Sequence, residues 1–259
     1  MEGLWQLLIL ACLGVFGGVL SGLVGVGGGI IFVPALVYVA GWSIGDATAA
    51  SFMIIIFSSL SGVLRNTSGE SPVNWRAAAL LVATVAPASL IGVAINRLMF
   101  DDAVKIIFAL VLLSFTYPLL SQALGNKENG GTPARRIPPA VFLLLGGVAI
   151  GTLSGLVGVG GGVVMVPLMI LGLDVRPKSA IATSLIVVLC TGVVAAVGYV
   201  VTGFQQFSAL PPLIVGSILG AWVGVRIRDR APVRPLQIGF AAFMMIVAVQ
   251  LLIDAATVF

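Results

Sequence analysis

Ser21-Gly22-Leu23-Val24-Gly25-Val26-Gly27-Gly28-Gly29-Ile30-Ile31-Phe32-Val33-Pro34 returns 133 residues later as Ser154-Gly155-Leu156-Val157-Gly158-Val159-Gly160-Gly161-Gly162-Val163-Val164-Met165-Val166-Pro167, with eleven of fourteen positions identical. The same offset, without a gap, pairs Gly14 and Gly18 with Gly147 and Gly151, and Ala47, Ala49 and Ser51 with Ala180, Ala182 and Ser184. A register kept over that length marks an internal duplication, so the chain reads as two copies of one unit. Three consecutive glycines inside an apolar run cost a helix about 1 kcal/mol each. They also leave backbone N–H groups unpaired, which a bilayer tolerates only where protein or a cavity satisfies them.

The surroundings are those of a membrane protein. Of 259 residues, 59% are apolar and 8% charged, against about 25% charged in a soluble domain, and the mean hydropathy is +1.19. No globule of this size has interior enough for so much apolar side chain. Histidine is absent, and Cys12 and Cys190 lie in apolar runs without metal-ligand spacing, so no metal site, disulfide framework or cofactor is expected. No paired carboxylates or nucleophile–base pair stands in the apolar segments, and an enzyme has no residues from which to build its site. The net charge of +4 comes from basic residues in short loops, a topology signal and not a nucleic-acid surface. Met1-Glu2-Gly3 supplies no basic lead to the first apolar stretch, which reads as a retained span and not as a removed signal peptide.

Apolar stretches of about 20 residues, the length that crosses hydrocarbon, fall at 4–24, 47–64, 77–99, 103–124, 138–157, 179–202, 207–225 and 236–257. The expected fold is therefore an all-α polytopic membrane protein of about eight transmembrane helices. Its halves are 1–124 and 138–259, joined by a polar linker at 125–137 that contains Asn126, Lys127, Glu128, Arg135 and Arg136. Two shorter apolar pieces, 30–41 and 163–173, follow the glycine clusters and are too short to cross, so each half carries a broken or re-entrant segment. Eight spans put Arg97, Lys105, Arg176, Lys178, Arg226, Arg228, Arg230 and Arg234 on one side, and Arg65, Arg76, Lys127, Arg135 and Arg136 on the other. That count favours the first group as cytoplasmic and both termini outside. Four spans per half make the repeats parallel; a broken unit that changes parity makes them inverted.

If short helices restart near Val33-Pro34 and Val166-Pro167, their N-terminal N–H groups and positive dipole ends face the breaks, which suits an anion. The candidate substrate contacts are then Gly25, Gly27, Gly28 and Gly29 in one copy and Gly158, Gly160, Gly161 and Gly162 in the other. Close helix packing is the alternative use of such glycines, and it fits Gly14, Gly18 and Gly22, with Gly147, Gly151 and Gly155, which form small-xxx-small rows. No Lys-Ser/Thr follows the clusters, so a nucleotide loop is excluded. Hydroxyls at the next span, Ser51 in one half and Thr183 and Ser184 in the other, can donate to an oxyanion or back-bond to their own helix. Asp46 is either a helix cap or a proton-binding carboxylate that couples transport. Arg65, Asn66, Asn96 and Arg97 stand at span ends, able to reach inward to an anion or outward to lipid headgroups.

The duplicated Ser-Gly-Leu-Val-Gly-Val-Gly-Gly-Gly, its following Val-Pro and the Ala-Thr-Ser at 182–184 resemble the TauE/SafE family of sulfite-exporter-like permeases, over nearly the whole chain. The resemblance implies an inner-membrane permease that moves sulfur-containing anions such as sulfite or organosulfonates. In the first half Ala49-Ala50-Ser51 replaces Ala-Thr-Ser, so hydroxyls that bound substrate would act unequally. The expected function is secondary transport of a small anion held at the repeat interface, with protons as the candidate co-transported ion and the lipid bilayer as surroundings. The chain is expected as a monomer or homodimer with no nucleic-acid partner. An anion channel and a non-transporting membrane subunit are the other readings.

Overall fold

Apolar stretches this long can satisfy their backbone in hydrocarbon only as helices. The computed structural model describes residues 2–25, 27–66, 73–124, 139–173, 175–205, 207, 210–230 and 234–256, and the regular structure there is all helical. The order is α1 (Glu2–Val24), α2 (Gly29–Tyr38), α3 (Ile44–Asn66), α4 (Trp75–Leu98), α5 (Asp101–Leu124), α6 (Pro139–Val157), α7 (Gly162–Leu173), α8 (Pro177–Val201), α9 (Leu210–Arg230) and α10 (Arg234–Ala256). Among the described residues five stretches are long and apolar enough to cross a membrane: Trp5–Val24, Ile44–Arg65, Trp75–Leu98, Ser179–Val201 and Leu210–Ile227. The other three expected spans are α5, α6 and α10, helices of 24, 19 and 23 residues. The short pieces are α2 and α7, of 10 and 12 residues. The linker expected at 125–137 lies outside the described residues.

Local chemistry sets the helix starts. Ser43 precedes α3; its hydroxyl accepts from the Asp46 N–H at 3.1 Å and donates to Asp46 Oδ2 at 3.0 Å, a reciprocal cap. Asn74 caps α4 by accepting from the Ala77 N–H at 3.1 Å. The short helices restart earlier than Val33-Pro34 and Val166-Pro167, at Gly29 and Gly162. Gly28, at φ 78°, turns the chain in the left-handed region open to glycine. Its carbonyl then takes the Ile31 and Phe32 N–H groups at 2.9 and 3.1 Å. Pro34 consequently sits inside α2, where it forgoes the one bond its missing N–H would have made.

Each short helix folds back along its predecessor. Gln6 of α1 donates to the Val39 carbonyl at 2.9 Å, just past α2, and Gly17 faces the Phe32 ring. In the second half Gly146 of α6 lies beside Leu168 of α7, and Gly161 beside Ile150. α1 runs in the same direction as α9, with Gly14, Gly18 and Gly22 against Leu213, Ser217 and Ala221. α6 does the same along α4, with Gly147, Gly151 and Gly155 against Thr84, Val85 and Ser89. α3 crosses α8 antiparallel, Gly62 meeting Leu185 and Gly192 meeting Ile55, while Phe52 stacks on Tyr199 at 6.1 Å. α5 packs on α10.

The returns of α2 and α7 change which loops share an end of the bundle. Arg65 at the end of α3 and Arg226 near the end of α9 both stand over the Trp222 ring, with Cζ 5.3 and 5.8 Å from its centroid. The expected partition, which set these two on opposite sides, is therefore corrected. Among the described residues Arg65, Arg76, Arg176, Lys178, Arg226, Arg228, Arg230 and Arg234 gather at one end, and Arg97 and Lys105 at the other.

The glycine rows bring backbones into contact, as small-residue seams do in membranes. A Cβ on Gly22 would lie 2.8 Å from the Val225 nitrogen, and one on Gly155 3.0 Å from the Ser89 Cα. The outer faces keep large apolar side chains exposed, Leu145 and Ile246 at 65% each, as a lipid-facing surface requires. Gly22→Leu and Gly155→Leu must push backbone against backbone, a cost beyond the about 1–3 kcal/mol of ordinary overpacking. Both variants are expected to lose the monodisperse peak in detergent size-exclusion chromatography, whereas Ala79→Leu, on an exposed position of α4, keeps it.

Candidate functional site

The two glycine clusters meet inside the bundle. Gly25, Gly27 and Gly28 have φ of 74, 84 and 78°, and Gly158, Gly160 and Gly161 repeat the shape at 77, 79 and 72°. All six are buried, as are Gly29 and Gly162. Gly29 packs directly on the Gly158 carbonyl and the Val159 Cα, so the breaks are in contact. Valine at Gly28 would be strained at its φ and would strike the Phe32 ring and the Gly17 carbonyl at 2.7–2.8 Å, so this position is required by the fold whatever else it does.

Hydrogen-bond accounting separates the two polar faces of the breaks. The Gly25 carbonyl accepts from Ser184 Oγ at 2.9 Å, and the Gly158 carbonyl from Ser51 Oγ at 2.8 Å. Each serine thus reaches across to the break of the other half. Its single proton is shared with a carbonyl of its own helix, Ile181 at 2.9 Å or Thr48 at 2.7 Å. Tyr199 Oη donates to the Gly155 carbonyl at 2.8 Å, Asn96 Nδ2 to that of Leu156 at 2.7 Å, and Ser58 Oγ to that of Gly27 at 3.3 Å. The donors are treated differently. Among the described residues nothing accepts from the N–H groups of Gly27, Gly28, Gly29 and Ile30, or from those of Gly160, Gly161, Gly162 and Val163. The Gly25, Gly27, Gly28, Gly158 and Gly161 carbonyls are thus answered, whereas the Gly160 carbonyl has no donor among the described residues, and Thr191, at the position of Ser58, leaves its Oγ1 unpartnered. Unanswered N–H groups at two helix starts suit negative charge.

Two buried hydroxyls missed by the sequence reading belong to the same motif. Ser21 and Ser154, the first residues of the duplicated motif, are 0% and 2% exposed, and their Oγ atoms have no partner. They sit one turn before each break, their carbonyls taking the Gly25 and Gly158 N–H groups at 2.9 and 2.8 Å. A buried hydroxyl left unpaired costs about 1–3 kcal/mol. A cavity of about 20 Å³ beside Ser154 and Gly161 is otherwise walled by apolar side chains, among them Val111, Ile150, Val157 and Val164. Thr183 is engaged elsewhere: it donates to the Ser179 carbonyl at 2.6 Å and accepts from the Asn74 N–H at 3.0 Å.

Asp46 and Arg97 come together at the end of the bundle with few basic residues. Asp46 Oδ1 lies 3.8 Å from Arg97 Nη1, and the guanidinium carbon sits 5.2 Å from the centre of the Tyr199 ring. Arg97 Nε donates to Thr202 Oγ1 at 3.3 Å, while its Nη2 is buried without a partner, as is Asn96 Oδ1. Tyr199 and Asn96 connect this cluster to the last turn of α6, directly before the second break. Asp46 is therefore both part of the α3 cap and the neighbour of a cation with a spare donor. Arg65 stands at the other end of the bundle, over Trp222, and the side chain of Asn66 lies outside the described residues.

The sulfite exporter TauE/SafE family profile matches residues 10–251, from inside α1 to inside α10. The chain belongs to this family. It is 24% identical to the probable membrane transporter protein YunE of Bacillus subtilis, over 95% of this chain and 97% of that one. A probable membrane transporter protein of Haemophilus influenzae is 28% identical over 94% and 97% of the two chains, and one of Methanocaldococcus jannaschii 20% identical over 97% of each. No solved structure matches. The TauE/SafE chain is thus a multi-pass membrane protein of the transporter class.

Ser51→Ala and Ser184→Ala each strip a buried carbonyl of its donor, at about 1–3 kcal/mol. Denaturant unfolding in detergent is expected to show both losses, the double variant losing the sum. Were these hydroxyls substrate donors alone, stability would stay unchanged and only substrate affinity would fall.

Proposed function

We propose that this TauE/SafE protein is a secondary transporter of small sulfur-containing anions such as sulfite or an organosulfonate, held where the two glycine breaks meet. One observation carries the reading: at both breaks the N–H groups at the start of the short helix have no acceptor among the described residues, while the Gly25 and Gly158 carbonyls are each taken by a serine of the other half. A sulfite or sulfonate group presents three oxygens, each able to accept from such donors, and Ser21 and Ser154 add one hydroxyl from each half. The family description supports the sulfur-oxyanion class. The glycines Gly25, Gly27, Gly28, Gly29, Gly158, Gly160, Gly161 and Gly162 act by shaping backbone donors, while Ser51 and Ser184 hold the breaks in shape.

The halves are proposed as inverted repeats, residues 1–124 and 138–259, in an eight-span arrangement with two re-entrant hairpins. The directions of α1 with α9 and of α6 with α4 support that. Because Gly29 rests on Gly158, an anion enters only if the halves separate, which favours a rocking carrier over an open channel. Arg97, with its unpartnered Nη2, recruits the anion at one mouth. Asp46 competes for the same guanidinium, and its protonation frees Arg97, which couples the anion to a proton. The end with eight basic residues is assigned to the cytoplasm of the inner membrane, leaving both termini outside.

Purified protein in liposomes is expected to take up labelled sulfite saturably, with competition from sulfoacetate, sulfate or thiosulfate. Ser21→Ala and Ser154→Ala remove hydroxyls that lack a partner, so stability holds or rises while KM increases about tenfold, the effect of about 1.4 kcal/mol. An unchanged KM in both sinks the site assignment, and no flux under any gradient favours the non-transporting subunit. Asp46→Asn is expected to keep sulfite exchange but to lose acceleration by an imposed pH gradient, read as initial rates with and without the gradient.

A further inference from the structure

We propose that the groove between α3 and α9 at the basic end of the bundle binds one anionic phospholipid, its phosphate on Arg65 and Arg226 and one acyl chain along α3. The groove measures about 500 Å³ and is lined by Phe57, Leu60, Leu64, Arg65, Ile218 and Trp222. Its wall is apolar, and its hydroxyl, Ser61 Oγ, already donates to the Ile218 carbonyl at 2.9 Å, so the interior asks for a hydrocarbon guest. From Phe57 to Arg65 the helix rises about 12 Å, close to half of the hydrocarbon thickness of about 30 Å. One acyl chain of one leaflet fits that depth.

The mouth chooses the headgroup. Two guanidinium groups share the Trp222 ring, at 5.3 and 5.8 Å, and among the described residues no carboxylate pairs with either. Two cations at a basic membrane face, beside an interfacial tryptophan, complement a phosphodiester. The duplication does not demand this groove. The offset of 133 places Gly198 opposite Arg65, and Gly198 is packed against Leu90 of α4. The basic, aromatic mouth is thus particular to one end of the protein.

The test uses full-length protein with Trp5→Phe, Trp42→Phe and Trp75→Phe, leaving Trp222 as the sole tryptophan, in phosphatidylcholine nanodiscs. A fixed mole fraction of lipid carries bromine on its acyl chain, as phosphatidylglycerol in one set and phosphatidylcholine in the other. Brominated phosphatidylglycerol is expected to quench Trp222 at least threefold more than brominated phosphatidylcholine. Arg65→Gln with Arg226→Gln removes the difference; should that variant misfold, 1 M salt applied to the parent is expected to shrink the difference instead. Equal quenching by both lipids overturns the proposal in favour of an unselective lipid annulus. Loss of the preference on adding inorganic phosphate overturns it in favour of a free-anion site. Absence of quenching with Ser61→Cys chains cross-linking to each other overturns it in favour of a second copy covering the groove.

Discussion

An interrupted helix in hydrocarbon stands only if something outside the helix answers its exposed carbonyls, and here that answer comes from the opposite half of the chain. Ser184 reaches Gly25 and Ser51 reaches Gly158, so neither break is complete within its own repeat. The contact of Gly29 with Gly158 follows from those ties. Among the described residues the N–H groups that open both short helices stay unanswered. The polarity of the breaks is a result of which backbone groups the fold pairs and which it leaves.

The remaining architecture serves to hold the two hairpins against one another. Glycine seams let α9 lie directly on α1 and α4 directly on α6, so each long arm of a hairpin is gripped by a helix from the other half. α3 and α8, which carry the crossing serines, pass between them. Tyr199 and Asn96 then fasten the end of α6, and their neighbour Arg97 inherits a position where one nitrogen has no protein partner. The same guanidinium faces Asp46 at 3.8 Å and the Tyr199 ring at 5.2 Å.

Much of the helical pattern could be read from the chain, because apolar run length and an exact repeat are one-dimensional signals. Three features were hidden for physical reasons. The restart of the short helices was set by the left-handed Gly28 and not by Pro34, since a positive-φ residue can begin a helix at once while proline is merely tolerated within it. The sides of the loops depended on whether α2 turns back, and a 10-residue apolar piece has no direction until its neighbours are known. Ser21 and Ser154 were visible in the motif, yet whether a hydroxyl has a partner is a property of packing. The same holds for Ser51 and Ser184, whose acceptors lie 107 and 159 residues away in the chain.

The crossed serines also bear on how such a chain came to exist. A single repeat presents one serine and one break that it cannot close by itself, and the geometry that closes both is two copies running in opposite directions. A protein half this length would therefore have to insert into the membrane in both orientations and pair as a symmetric dimer. The fused chain makes that pairing obligatory, and it lets the two copies differ, as they do where Arg65 in one stands at the position of Gly198 in the other.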